Sequence, residues 1–397
     1  MVPIDALLSK DVRSFIQQHK NMSVADLMLK MPAFSIDTKW IAAQIEGWQK
    51  ASHKLPLWAN TDGIIFPVRL SMEQCSSERT GLFKASLVRG SCMVDLTGGF
   101  GVDTFYLSKS FDKAYYIEQQ EELGEIAAHN FSILGQKNIS TLIGNSAELL
   151  TTLPEKIDLI YLDPARRKET QKVFKLSDCE PNIADLQELY FSVSSHLLIK
   201  TSPMLDITEA QKQLLGVKDI YIVSVDNECK EVLYLLEKDY VGKLNFICVH
   251  DYKKTIQTLT FTAEAEQTHK AELTDPGTFL YEPNPSILKA GGFNSVAQQY
   301  KVSKLQASSH LYTSNEIVSE FPGRIFTIKN IIGYNKKEVQ SIVASGKANI
   351  QTRNFPDSVE NIRKKTGLKD GGNIFIFATT LQDSSKVLIV CEKYTNS

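Results

Sequence analysis

Apolar residues recur at three-to-four spacing through roughly the first ninety positions. The stretches DVRSFIQQH, SVADLMLKM and TKWIAAQIEGWQKASH each carry such a stripe, which predicts amphipathic helices. Ser23 and Asp37 stand where N-caps are needed. LSMEQCSSERTGLFKASLV continues in the same style as far as Gly90. Residues 1–90 are therefore expected to form an N-terminal helical domain.

From Cys92 the pattern changes. Short apolar runs alternate with amphipathic segments. CMVDL, KAYYIE, ISTLIG, IDLIYLD, HLLIKTS and DIYIVSV read as strands. Helices are expected from about Val102 and over EELGEIAAHNFSILG, SAELLTTL, NIADLQELYFSVSS and LDITEAQKQLL. This alternation predicts an α/β core, a mostly parallel sheet with helices on both faces. A seventh strand, KEVLYLLEK, follows DIYIVSV after only DNECK, too short a link for a crossover. It is expected to pair antiparallel. The fold class is thus a Rossmann-like, seven-stranded α/β core over 91–240, its last strand antiparallel.

Residues 241–323 read as a strand-rich linker and a small domain, with DPGTFLYEPNPSILKAGG as the junction running into a helix near Ser286. Residues 324–397 read as a small α+β domain. Its segments KKEVQSIVASG, ANIQTRNFP, SVENIRKKTG, NIFIFATT and KVLIVCEK predict helix, strand, helix, strand, strand.

Composition adds little to the core but separates the C-terminus. The chain has 397 residues and a net charge of -2, so it is no polyanion binder by overall charge. Residues 324–397, however, hold 12 Lys/Arg against 6 Asp/Glu, a net of +6 that leaves -8 for the rest. Such a basic module attracts phosphate backbones. Arg353, Arg363, Lys364 and Lys365 are its candidate RNA contacts. No apolar run is long enough to cross a bilayer, and no signal-peptide pattern opens the chain. A soluble, cytoplasmic protein is expected. The six cysteines show no CxxC spacing and the histidines no metal-like spacing, so neither metal nor disulfide framework is expected. Cys229, in the turn before the last strand of the core, is expected to be inert.

The chemistry concentrates in CMVDLTGGFGVDTFYLS. Gly98, Gly99 and Gly101 follow the first strand directly and precede a helix. That is the switch point of a doubly wound sheet, where ligands bind. Glu118 ends the second strand, about 20 residues on, where an acid accepts ribose hydroxyls. Asp95 ends the first strand. An acid there repels a pyrophosphate and suits a cationic ligand, which favours S-adenosylmethionine over a dinucleotide.

This arrangement resembles the class I S-adenosylmethionine-dependent methyltransferases. The resemblance assigns cofactor binding to the loop residues Asp95, Thr97, Gly98, Gly99, Gly101 and Asp103, and the ribose to Glu118. It places Asn145, in GNSAEL, as an acceptor for the adenine amino group. DLIYLDPARR resembles the family's catalytic motif, with Asp163, Pro164 and Arg166 at the cofactor's reactive end. The amine-methylating branch has an aromatic residue where Arg166 stands and a proline where Ala165 stands. The uridine-carbon branch needs a later cysteine that LLIKTSPMLDI lacks. The methylated atom therefore stays open.

DPARR together with KLSDCEPNIADL, IKTSPMLDI, EQCSSERTGLFKASL, NECKEVLYL and LYEPNPSILKAGG is similar to one family in particular. These are RNA-methylase-type proteins with a THUMP-like C-terminal domain, in a Bacteroidetes-type branch with a ferredoxin-like domain before it. The resemblance implies methyl transfer to RNA, rRNA or tRNA. A protein or small-molecule acceptor, or a non-catalytic RNA-binding or ribosome-assembly role, are the alternatives. Further candidates are Arg167 for phosphate, Lys200 for phosphate or for pairing with Asp163, and Gln74, Ser76 and Thr80 for closing over the cofactor.

Overall fold

The computed structural model describes residues 2–32, 34–166, 176–253 and 255–395. The chain forms two compact units. One comprises Met1–Thr201, Thr208–Val217 and Tyr234–Tyr240, the other Ser202–Ile207, Lys218–Leu233 and Val241–Ser397.

The first unit begins with helices α1 (Lys10–His19), α2 (Val24–Lys30) and α3 (Thr38–Lys54). Ser23 caps α2 by accepting from Asp26 N–H, and Asp37 caps α3 by accepting from Lys39 N–H. These helices do not close a core of their own. Their apolar stripes share one cluster with the α/β body, in which Ile41 and Trp58 meet Phe100, Phe105 and Phe131. The Trp58 ring lies 4.9 Å from Phe100 and 5.5 Å from Phe105. Helix α4 (Glu78–Leu87) then starts on a capping box between Ser77 and Thr80.

Strands β1 (Gly90–Asp95), β2 (Phe111–Glu118), β3 (Ile139–Ile143), β4 (Ile157–Leu162) and β5 (Ser194–Thr201) follow. Between them run α5 (Val102–Leu107), α6 (Glu121–Ile133), α7 (Ser146–Leu150) and α8 (Ile183–Val193). The strand order is β5-β4-β1-β2-β3, and the pairs are parallel. Asp95 stands in register with Tyr116 on one side and Tyr161 on the other. The order reverses between β1 and β4, so the loops after Asp95 and Leu162 splay apart and leave a crevice.

The two remaining strands of the expected seven, β6 (Val217–Val225) and β7 (Glu228–Glu237), are joined by Asp226-Asn227. Both turn residues have positive φ, 49° and 64°, the geometry of a tight two-residue hairpin. The pair is thus antiparallel, for the reason the short link predicts.

Within the stretch 241–323, read as a strand-rich linker and a small domain, residues 245–262 form two paired strands. Strand β8 (Asn245–Tyr252) pairs parallel to β6, and β9 (Thr255–Thr262) pairs antiparallel to β8. Phe246, Cys248, Leu259 and Phe261 are buried and anchor these strands in the sheet.

Another sheet completes the second unit. Its labelled strands are β10 (Phe279–Pro283), β11 (Tyr312–Ser314), β12 (Gly323–Gly333), β13 (Asn349–Arg353), β14 (Ile374–Thr380) and β15 (Lys386–Lys393). With the short strand Ser303–Lys304 at one edge, the order is β11-β10-β12-β15-β14-β13. Helices α9 (Lys336–Ile342) and α10 (Val359–Thr366) pack against each other over it. Buried Val339 and Ile362 meet Ile350, Ile376 and Leu388 of the strands.

Candidate active site

The glycine loop after β1 is built by exclusion. A Cβ on Gly98 would sit 2.3 Å from the Tyr116 ring, and one on Gly101 would sit 2.6 Å from Phe131. Gly101 also has φ +85° at the start of α5, a conformation that other residues rarely adopt. Gly99, with φ +55°, has only the Thr97 carbonyl at 3.8 Å from where its Cβ would be. The loop is therefore packed underneath at Gly98 and Gly101 and open above at Gly99.

Asp95 organises the loop from inside. It is 1% exposed and accepts from Thr97 N–H at 2.9 Å and from the Thr104 hydroxyl at 2.6 Å. Burial raises its pKa to about 7, against these two hydrogen bonds. Thr97 in turn accepts from the Asp163 N–H at 2.6 Å. Glu118 holds the loop from the other side. Its Oε2 accepts from Gly99 N–H at 2.7 Å and its Oε1 from Gln120 N–H at 2.9 Å.

Asn145 departs from the sequence expectation. Its Oδ1 accepts from Ala147 and Glu148 N–H and caps α7. Free backbone N–H groups at a helix start compete for an Asn oxygen, so this atom is already engaged. Ser146 rather than Asn145 faces the cavity.

Beneath the crevice lies a cluster that the sequence shows only in part. Asp103 accepts from Ser76 Oγ at 2.8 Å and from Tyr161 OH at 2.7 Å. Lys84 Nζ lies 3.1 Å from its Oδ1 and Lys200 Nζ 3.3 Å from its Oδ2. Burial opposes its ionisation, but the two ammonium groups outweigh that and hold its pKa below the usual range. Lys200 also lies 2.5 Å from Asp163 Oδ2. Asp163 is pushed the other way: burial raises its pKa, and the Lys200 charge only partly offsets this. Lys200 thus pairs with Asp163, as one of the two sequence readings has it. Lys84 escapes sequence reading because it sits in a helix of ordinary polar composition. Its only signal is helical spacing, four residues from Thr80, which is likewise buried.

Above this cluster lies a cavity of about 470 Å³. Asp95, Asp103, Glu118, Asp163 and Glu180 line it, and no Lys or Arg appears among its described lining residues. Gln74 and Ser76 line it as well, whereas Thr80 spends its side chain in the capping box. Pro164 leads into a two-residue strand, Ala165–Arg166, paired with Cys179–Glu180. The Arg166 side chain and all of Arg167 lie outside the described residues.

Two C-terminal candidates are held in ion pairs within their unit. Arg353 donates to buried Glu282 at 2.7 Å, and Arg324 reaches the other oxygen of the same carboxylate. Arg363 pairs with Asp370 and donates to the Ala348 carbonyl. Each guanidinium is thus paired with a carboxylate of its own unit. Lys364 stays exposed beside Glu360, and Lys365 lies over the Tyr334 ring at 3.6 Å. Burial raises the Cys229 thiol to about 11, which makes it a poor nucleophile. Among the described residues no group of three or more His, Cys, Asp or Glu could hold a metal, and no helix is long and apolar enough to cross a membrane.

No curated protein matches the chain. Residues 279–322 match a ferredoxin-like domain family, and residues 323–393 a THUMP domain-like family. The crystal structure of a "putative methyltransferase from Porphyromonas gingivalis W83" is similar over 100% of both chains, at 32% identity and a TM-score of 0.89. An rRNA methylase from Streptococcus thermophilus is similar over 40% of this chain and 95% of its own, at 19% identity and a TM-score of 0.30. M. capricolum TrmK, solved with S-adenosyl-homocysteine, is similar over 41% of this chain and 69% of its own, at 17% identity and a TM-score of 0.31. The full-length likeness to the P. gingivalis protein, with the two C-terminal matches, decides the family: the chain belongs to the methyltransferase-fold family with ferredoxin-like and THUMP-like C-terminal domains.

Proposed function

We propose that the protein is an S-adenosylmethionine-dependent methyltransferase that acts on RNA in the cytoplasm. The observation that carries the cofactor reading is the charge of the cavity. Five carboxyl side chains and no described Lys or Arg line a crevice at the switch point of the sheet. Such a lining repels a pyrophosphate and attracts a cation. S-adenosylmethionine supplies an electrophilic methyl group on a cationic sulfur.

The chain's own residues fit that group. Each Glu118 oxygen accepts one backbone N–H and keeps a lone pair for a ribose hydroxyl. Gly99 leaves open space where any side chain would intrude. Asp163, at the far wall, is fastened to the loop through Thr97 and faces the place where an acceptor has to stand. Catalysis would consist mainly of positioning the acceptor, excluding water and receiving its proton at Asp163.

The THUMP domain-like match and the net charge of +6 over residues 324–397 support RNA as the acceptor. Exposed Lys336, Lys337, Lys364 and Lys365 stand on α9 and α10, the two helices packed together over the sheet of the second unit. The scattered spacing of the six cysteines, with no CxxC pair, suits a reducing compartment. Calorimetry with S-adenosylmethionine and S-adenosylhomocysteine tests the cofactor, with binding in the micromolar range expected. No heat at millimolar ligand would refute the reading. Transfer of a labelled methyl group into protein rather than RNA, in extract from a strain lacking the gene, would refute the RNA acceptor.

A further inference from the structure

A second cavity, of about 740 Å³, opens in the first unit between helix α1 and residues 58–66. That size falls within the roughly 300–1,000 Å³ of ligand sites. Resting on the RNA reading above, we propose that this cavity holds a nucleotide of a single-stranded RNA, with the base on Trp48 and the flanking phosphates at Lys10 and Lys20.

The cavity is built from two pieces of chain. Lys10, Arg13, Ser14 and Gln17 recur at three-to-four spacing, so one face of α1 supplies one wall. Lys20 follows at the end of that helix. Asn60, Thr61 and Asp62 supply another wall, and Arg13 bridges the two by pairing with Asp62. Buried Trp58, Ile65 and Phe66 complete the lining with apolar surface. The rings of Trp58 and Phe66 lie 4.9 Å and 6.3 Å from Phe100. Phe100 belongs to the glycine loop and lines the cavity of the candidate active site. One aromatic layer thus stands between the two cavities.

Charge sets them apart. The candidate active site is lined by carboxyl groups, whereas this cavity carries three cations against one described carboxylate, a net of +2. Residues 1–323 carry -8 overall, so a positive hollow on that body is a place where a phosphate chain can settle.

The groups are placed to be used. The Trp48 indole N–H donates to the Ala59 carbonyl at 3.1 Å, which fixes the ring. Lys20 Nζ lies over that ring at 4.4 Å. Stacking of a base on an aromatic ring is generally stronger than a cation–π contact at a half-exposed site. A base can therefore take the ring face and leave the ammonium at its edge for a phosphate. The Arg13 and Asp62 side chains are 45% and 79% exposed. Ion pairs between exposed side chains are weak, so a phosphate can replace the carboxylate there too. Spacing favours a strand over a free nucleotide. Lys10 and Lys20 stand ten residues apart, about 15 Å along the helix. One phosphate cannot serve both, whereas successive phosphates of a strand can.

The test follows tryptophan fluorescence of the full chain as a single-stranded oligoadenylate is added, with an abasic ribose-phosphate oligomer as control. Oligoadenylate is expected to quench the emission, and the abasic oligomer is not. Trp48→Leu should abolish the quenching and weaken binding, read by anisotropy of a labelled oligomer, about tenfold. Trp48→Phe keeps a ring and loses only the N–H, so its affinity should stay within about threefold of native. Lys10→Ala combined with Lys20→Ala should reduce the salt slope by about 1.4, or about 0.7 for each phosphate on a single strand. Circular dichroism checks that each variant folds; should Trp48→Leu not fold, the lysine variant decides alone. Quenching that survives in folded Trp48→Leu, equal losses in Trp48→Leu and Trp48→Phe, or an unchanged salt slope in the lysine variant overturns the proposal. Transfer of a labelled methyl group judges the parent reading separately. Label entering protein despite quenching at Trp48 overturns the RNA acceptor alone, and label entering RNA without that quenching overturns the second site alone.

Discussion

The Thr97 hydroxyl oxygen accepts a hydrogen bond from the backbone N–H of Asp163 at 2.6 Å. This single contact fastens the loop after β1 to the end of β4, across the point where strand order reverses. It also sets the position of Asp163 relative to Gly98 and Gly99. Removing the hydroxyl leaves a partly buried N–H without its partner, at a cost of about 1–3 kcal/mol. Thr97→Val should lower stability by that amount and weaken S-adenosylhomocysteine binding, while Thr97→Ser should keep both near native. Denaturant titration and calorimetry on the two variants decide it. Equal behaviour of the two variants would show that the hydrogen bond does not position the loop.

Lys84 is the member of the buried cluster farthest from solvent. Breaking a buried ion pair by removing one partner costs about 3–5 kcal/mol, because the other charge is left uncompensated. Lys84→Met removes the charge from Asp103 and nearly preserves volume. The expected outcome is a loss of stability of that order, together with a rise of the Asp103 pKa toward the usual range. Acid denaturation should consequently begin at higher pH in the variant. A stability within about 0.5 kcal/mol of native, the ordinary spread of surface substitutions, would refute the pair's role.

Asp95 gives stability an unusual pH dependence. Its folded pKa is raised from 3.8 to about 7 by burial. Folding therefore favours its protonated form. Its contribution is fully present below about pH 3.8 and is lost as pH rises through about 7. Asp103 works in the opposite sense: its lowered pKa contributes stability above the usual carboxylate range that is lost in acid. Asp95→Asn removes only the first effect. The stability difference between native chain and variant should shift in favour of the variant from about pH 4 to about pH 7, and stay level above about pH 8. Melting temperatures measured across that range test the sign. A difference that does not change with pH would place the Asp95 pKa near its ordinary value.

Glu282 joins two regions that the domain matches divide. It lies in the ferredoxin-like stretch, and its two partners, Arg324 and Arg353, lie in the THUMP-like stretch. The carboxylate is only 3% exposed. Glu282→Ala leaves two partly buried guanidinium groups without their shared anion and should cost about 3–5 kcal/mol. Arg353→Ala should destabilise without changing the salt dependence of RNA binding. Neutralising Lys364 together with Lys336 should do the reverse, reducing the salt slope by about one for each phosphate that is no longer neutralised. Binding titrations at several salt concentrations separate the two classes of residue. A reduced slope for Arg353→Ala would return it to the RNA interface.

Much of this molecule was readable from periodicity. The alternation of apolar runs and amphipathic stretches predicts the parallel strands, and the brevity of DNECK predicts the antiparallel hairpin, because both follow from local geometry. The glycine loop was legible for the same reason: Gly98, Gly99 and Gly101 lie between a strand and a helix that are neighbours in the chain. The strand character of residues 245–262 is readable from the sequence, but only the neighbouring β6 reveals which sheet they join and which face is covered.

Tertiary structure alone decided how the charged groups are used. Lys84, Asp103, Asp163 and Lys200 are separated by 19, 60 and 37 positions, and no local pattern links them. The parallel crossovers bring the ends of β4 and β5 beside the start of α5, and burial then requires every charge there to find a partner. Arg353 and Arg363 show the same rule from the other side. In the sequence they look like free surface cations, but packing leaves them next to Glu282 and Asp370. The sequence by itself determined the elements, their order and the loop, because these depend on near neighbours. Which charges stay available to a ligand depends on distant partners, and only the folded chain supplies those.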